Sequence, residues 1–172
     1  MIFVTLGSQK FQFNRLLQTV DELVKNKVIK EKVFAQVGYS DYVPKNFEYK
    51  KFLDREEFDN YMEESHLVIT HSGTGAIMGA VNHGKKVIAI PRNALYGEHV
   101  DDHQLQILKQ FEAMKIICAC YDPKDLCYYI DEIERIPLSE YKSNTQVIIE
   151  NIDQYIKTTF KLHRETCQID LE

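Results

Sequence analysis

Hydrophobic positions along this chain follow two periods in turn. Short apolar runs stand at Ile2–Leu6, Lys32–Val37, Leu67–Thr70, Lys86–Ile90 and Lys115–Cys120, with a more polar short stretch at Glu48–Phe52. Their length and composition predict strands, with β-branched Leu67–Thr70 a buried one. Between them the period lengthens to that of a helix. Phe11, Leu16, Leu17, Val20, Leu23 and Val24 form one helical stripe. Asp54, with Glu57 at the capping-box position, opens a helix with Phe58, Tyr61 and Met62 on its inner face, ending near Ser65-His66. Ala76, Ile77, Ala80 and Val81 predict another, closed by His83-Gly84. Further helices are expected over His99–Met114, from Asp122-Pro123 to Pro137, and from about Ser143 to His163. The last carries Val147, Ile148, Ile152, Tyr155, Ile156 and Phe160 as its stripe.

Strands alternating with helices predict an α/β fold, a parallel sheet flanked by helices. No internal repeat, low-complexity run or linker interrupts the pattern. One domain is expected over 1–165, followed by a loose polar tail over 166–172.

Composition narrows the function classes. The chain has 172 residues, 44% hydrophobic and 27% charged, with a net charge of −5. An acidic balance argues against a nucleic-acid partner, which is met with a basic surface. No apolar run approaches the ~20 residues of a membrane-spanning helix. The amino terminus lacks the basic start of a signal peptide and reads as a strand. A cytoplasmic location is expected, with Cys118, Cys120, Cys127 and Cys167 reduced and incidental.

The chemistry concentrates between Leu67 and Gln104. The strand Leu67–Thr70 runs into His71-Ser72-Gly73-Thr74-Gly75 at the start of a helix. Free N–H groups and the helix dipole favour an anion there, most often phosphate. The alternative is a turn with Ser or Thr as an ordinary N-cap. The pattern matches neither a P-loop nor a dinucleotide fingerprint. After the next strand come Pro91-Arg92 and then Tyr96-Gly97-Glu98-His99-Val100-Asp101-Asp102-His103-Gln104. Carboxylates and amides together suit sugar hydroxyls, which both donate and accept. An anion cradle beside a hydroxyl-reading cluster points to a nucleotide-sugar.

These segments resemble the catalytic subunits of bacterial two-part polysaccharide glycosyltransferases, which are related to glycosyltransferase family 28. The likeness spans about Met1 to Ala119. It implies a Rossmann-like sheet equivalent to the C-terminal half of a GT-B glycosyltransferase. By this resemblance Ser72, Gly73, Thr74 and Gly75 hold the diphosphate of a UDP-sugar, with Arg92 after Pro91 as an added cation. Asp102 and Gln104 match the pair that reads the sugar. Gly7-Ser8 belongs to a loop facing the cleft, and the Phe52-Leu53 turn lies near the uracil. The wider superfamily has a ribose-binding acidic residue where this chain has Gly79, so ribose recognition passes to Glu98. His71 and His99 are the candidate bases by side-chain chemistry.

The resemblance implies a UDP-sugar-dependent hexosyltransferase that needs no metal or other cofactor. Galactose, glucose and GlcNAc are all open as the sugar. A GT-B site lies between two domains, and this chain supplies one, so a second polypeptide should cover its functional face. The implied partner is a membrane-anchored subunit that recruits the chain to the inner face of the membrane. The implied acceptor is an undecaprenyl-diphosphate-linked sugar in capsule or exopolysaccharide synthesis. Without its partner the half-cleft could form homo-oligomers. Three rivals remain: a non-catalytic nucleotide-sugar-binding module, a UDP-sugar 2-epimerase, and a metal-assisted hydrolase built on His99, Asp102 and His103. The last lacks the H-E-x-x-H pattern.

Overall fold

A computed structural model describes the backbone of residues 1–169 and the side chains of residues 1–159. Six strands form one sheet: β1 (Ile2–Thr5), β2 (Val33–Gln36), β3 (Glu48–Lys50), β4 (Leu67–His71), β5 (Lys86–Ile90) and β6 (Cys118–Ala119). Every neighbouring pair is parallel, in the order β3-β2-β1-β4-β5-β6. The expected parallel α/β sheet is the observed one. β1, β2 and β4 are buried along their whole length, which is why they read as unbroken apolar runs. β3 is an exposed edge and correspondingly polar.

The helices are α1 (Asn14–Lys25), α2 (Arg55–Glu64), α3 (Thr74–Asn82), α4 (His103–Ala113), α5 (Leu126–Glu132) and α6 (Thr145–Ile169). α1 lays Leu16, Leu17 and Val20 into the cluster that holds Ile2, Val4 and Leu6. Phe3 points to the opposite face, where its ring meets Phe58 of α2 at 5.3 Å. The strand's alternation thus packs one helix on each face. α2 starts with both bonds of the Asp54–Glu57 capping box, as the sequence predicts.

The helix expected from His99 starts only at His103. Ala94–Tyr96 forms a single 3₁₀ turn capped by the Asn93 side chain, and the backbone then stays irregular. The Asp101 carboxylate accepts from both His103 N, at 3.0 Å, and His99 Nδ1, at 2.9 Å. Such local side-chain bonds compete with helix formation. His99 and His103 therefore do not share a helix face.

The chain divides into two compact units, Met1–Glu140 and Tyr141–Glu172. The sheet and five helices lie in the first. The second contains α6, which continues through Ile169 and exposes Val147, Ile148, Ile152, Tyr155 and Ile156. The reading of one domain over 1–165 does not separate these units. The expected tail lies, from residue 170 on, outside the described residues, as do the side chains of Phe160 and Cys167. No helix among the described residues is long and apolar enough to cross a membrane. Cys118 and Cys120 are buried free thiols, and burial pushes them up to about 11 and about 12.

The strand order fixes where a ligand belongs. From β1 the chain steps outward through β2 and β3, then returns to add β4 on the other side of β1. The loops after β1 and β4 diverge at this reversal and leave a crevice at the carboxyl ends of the strands.

Candidate functional site

A cavity of about 560 Å³ occupies that crevice. Its floor is made by Thr5, Gly7, Gln36 and His71, where β1, β2 and β4 end. One wall is the start of α3, contributed by Gly73, Thr74, Gly75 and Ala76. Gly73 is the N-cap of α3, in extended conformation, and among the described residues no side chain caps the first turn. The opening N–H groups of the helix are therefore unclaimed and meet the cavity. Helix starts of this kind favour an anion. Neither Ser72 nor Thr74 is the N-cap. Ser72 is fully buried, its N donates to Ile90 O at 3.0 Å, and its Oγ has no partner among the described residues.

Two glycines make room for one histidine. A Cβ on Gly7 would stand 2.7 Å from His71 Cε1, and one on Gly73 would overlap His71 Nε2. The imidazole fills the space that both side chains give up. Burial and the nearby Arg92 cation hold His71 down to about 3. It is a neutral ring at any physiological pH and a weak base.

The opposite rim comes from the segment after β5. His99, His103, Gln104 and Ile107 line the cavity here. The His99 ring packs against Phe11 with centroids 4.8 Å apart, joining this segment to the loop after β1. Ser8 and Gln9 of that loop close the cavity. Gln104 is nearly buried, and its Oε1 accepts from Arg92 N at 3.1 Å. That bond fixes the amide's orientation and leaves its NH₂ as the group to offer a ligand.

The structure brings Gly7, Ser8, His71, Gly73, Thr74, Gly75, His99 and Gln104 together around one space. It places the other expected residues elsewhere. Asp102 lines a second pocket, of about 260 Å³, with Arg15, Pro91, Arg92 and Tyr96, so it does not share a wall with Gln104. Arg92 is 1% exposed, and its Nη2 donates to the carbonyls of Leu6, at 2.8 Å, and Phe11, at 3.3 Å. Rather than meeting a diphosphate, it pins the loop after β1. Burial lowers its guanidinium to about 10, although Glu98 acts against that. Glu98 is 1% exposed and occupied: Arg15 closes on both its oxygens, and Asn93 N donates to it at 3.0 Å. It has no free oxygen turned to a ribose. Phe52 packs edge-on against Tyr39 at 5.1 Å, outside the cavity lining.

Gln36 was not singled out in the sequence, and His103 was named there only within the polar segment and in the metal-assisted alternative. Gln36 accepts from Leu53 N at 3.2 Å and donates to Gly7 O at 3.5 Å, tying the Phe52-Leu53 turn to the cavity floor. Its signal was there: a polar residue closing an otherwise apolar strand, at the end where ligands bind. Among the described residues no three His, Cys, Asp or Glu side chains gather as a metal site.

The model of the glycosyltransferase family 28 C-terminal domain matches residues 1–159. The UDP-N-acetylglucosamine transferase subunit ALG13 of Candida albicans is 34% identical over 73 residues, 42% of this chain and 23% of that one. The mouse protein of the same name is 26% identical over 132 residues, 69% of this chain and 10% of that one. The chain thus spans about a tenth to a quarter of the length of these relatives. MurG of Acinetobacter baumannii superposes with a TM-score of 0.53 at 17% identity, covering 77% of this chain and 40% of its own. The shared fold is that of the C-terminal, Rossmann-like half of GT-B glycosyltransferases.

Proposed function

This chain belongs to the glycosyltransferase family 28 C-terminal domain family, and we propose that it is the donor-binding subunit of a UDP-sugar-dependent hexosyltransferase. One observation carries the reading. The cavity at the sheet's reversal joins the unclaimed start of α3 to hydroxyl-reading side chains, Gln36, His103 and Gln104. The helix start takes the diphosphate, and its dipole offsets the charge that grows on UDP as it leaves. Gln104 and His103 read the sugar. No metal is needed for this, because backbone N–H groups supply the positive potential.

The acceptor half comes from a second polypeptide. The ALG13 relatives are named as transferase subunits. The solved GT-B neighbour is more than twice as long as the part matched here, with only 40% of it covered. The partner is membrane-anchored and brings this chain to the inner membrane face. The acceptor is an undecaprenyl-diphosphate-linked sugar, and the product a capsule or exopolysaccharide unit. The sugar is galactose, glucose or GlcNAc.

The test is calorimetric titration of UDP, then of the three UDP-sugars, into the chain without metal. Binding that Gly73→Asp abolishes supports the reading. Binding that Gly73→Asp leaves intact places the nucleotide elsewhere and overturns it. A donor that binds but is not turned over with the co-expressed membrane subunit would favour a non-catalytic binding module.

A further inference from the structure

The two nitrogens of His71 are not equivalent, and the difference constrains the ligand. Thr70 and His71 end β4 side by side. Thr70 Oγ1 donates its single proton to the Thr5 carbonyl at 2.8 Å. The same oxygen lies 3.4 Å from His71 Nδ1. A hydroxyl whose proton is already placed can only accept at that contact. Nδ1 therefore carries the ring proton, and the Thr5 carbonyl favours a proton on the ring as well. Nε2 is left with its lone pair. It makes no hydrogen bond among the described residues, and it lies beside Gly7 and Gly73, both of which line the cavity.

We propose that His71 Nε2 accepts a hydrogen bond from a hydroxyl of the donor, and that it determines specificity instead of serving as the base. The inference rests on the reading that a nucleotide-sugar occupies this cavity. The start of α3 offers only donors, which suits phosphate oxygens. A lone pair beside it repels those oxygens and attracts a hydroxyl proton. The pair therefore selects a ligand that is anionic and hydroxylated at adjacent positions. A free inorganic anion satisfies the helix start alone. Burial and the Arg92 cation keep the ring unprotonated, so the acceptor persists. The two glycines hold it in place, since a side chain at either would displace the ring.

Long-range ¹H–¹⁵N NMR on the labelled chain reads the tautomer directly. The expected result is a neutral, Nδ1-protonated His71 from pH 5.5 to 8. UDP and then UDP-GlcNAc are added, followed by the same titrations of His71→Asn by calorimetry. Asparagine keeps an amide donor toward Thr70 and Thr5 and deletes the cavity acceptor. The expected loss of affinity is about five- to tenfold, the ordinary worth of one neutral hydrogen bond. A perturbation of Nε2 already with UDP assigns the hydroxyl to the ribose. One that appears only with UDP-GlcNAc assigns it to the sugar. An Nε2-protonated or charged ring overturns the inference while leaving nucleotide binding standing. So does UDP-GlcNAc binding that leaves Nε2 unmoved and His71→Asn as tight as wild type. Failure of UDP and UDP-GlcNAc to bind at all overturns the nucleotide-sugar reading, and this inference with it.

Discussion

Arg15 grips Glu98 with two parallel bonds, Nε to Oε1 at 3.1 Å and Nη2 to Oε2 at 3.0 Å. The two residues are 83 positions apart. Glu98 is buried, whereas Arg15 is about a quarter exposed. The pair joins the first turn of α1 to the segment that carries His99 to the cavity rim.

Removing Arg15 strands a buried carboxylate. Arg15→Ala is expected to lower stability by about 2–3 kcal/mol, toward the low end for a broken buried pair because Asn93 N still serves Glu98. Replacing both, with Arg15→Met and Glu98→Leu, should recover part of the loss. Urea unfolding of the two single variants and the double variant checks this, and a double variant no better than the sum of the singles argues against the pairing.

Two glycines of the same segment should behave oppositely. Gly73→Ala forces a methyl into the His71 ring and is expected to cost about 1–3 kcal/mol, with at least tenfold weaker UDP binding. Gly79 lies inside α3 with nothing within 4 Å of its would-be Cβ. Gly79→Ala should stabilise by about 0.5–1 kcal/mol and leave UDP affinity unchanged. Thermal melts and calorimetry on both variants decide.

Gln104 and Asp102 should separate as well. Gln104→Ala leaves the buried Arg92 N–H without its acceptor, for about 1–2 kcal/mol, and removes a cavity amide. UDP-sugar affinity is expected to fall about tenfold. Asp102→Ala removes an acceptor for Ala94 N at an exposed turn and should change affinity less than twofold. Equal effects of the two on binding would return Asp102 to the donor site.

His71 should make the fold acid-sensitive. Its folded value of about 3 lies below its ordinary value of 6.5, so between those limits the unfolded chain binds the extra proton. Stability attributable to this ring is unaffected above pH 6.5 and falls as pH drops through that window, by about 2 kcal/mol at pH 5. Asp21 titrates in the same direction but below the ordinary carboxylate range, since Tyr42 and the backbone of Lys45 and Asn46 hold it down against its burial. Urea titrations at pH 7 and pH 5 should show the difference in wild type and a flatter response in His71→Asn.

The strands and helices were legible in the sequence because burial imposes its period on the residues. β1, β2, β4 and β5 needed only the apolar runs, and α2 only its capping box. The Gly-rich start of α3 was legible for the same local reason, since a helix start exposes its N–H groups whatever surrounds it. Irregular backbone carries no such period. Around His99 the apolar spacing continued the helix of Leu105 and Leu108 backward, and the Asp101 side chain ended it.

Side-chain direction at the site was decided only by the tertiary structure. Arg92 follows a strand and reads as a surface cation, but its partner is the Leu6 carbonyl, 86 positions earlier. Glu98 reads as a free acid until Arg15 arrives from α1. Asp102 and Gln104 stand two positions apart yet line different pockets, because one precedes the helix and the other lies within it. His71 is kept neutral by distant contacts: its burial, Arg92, and the two glycines that let the ring in. Local pattern and burial were enough to specify a parallel α/β sheet and a Gly-rich helix start with open N–H groups. Which polar groups face the ligand and which brace the loops depends on contacts made across the sheet, and only the folded chain brings those together.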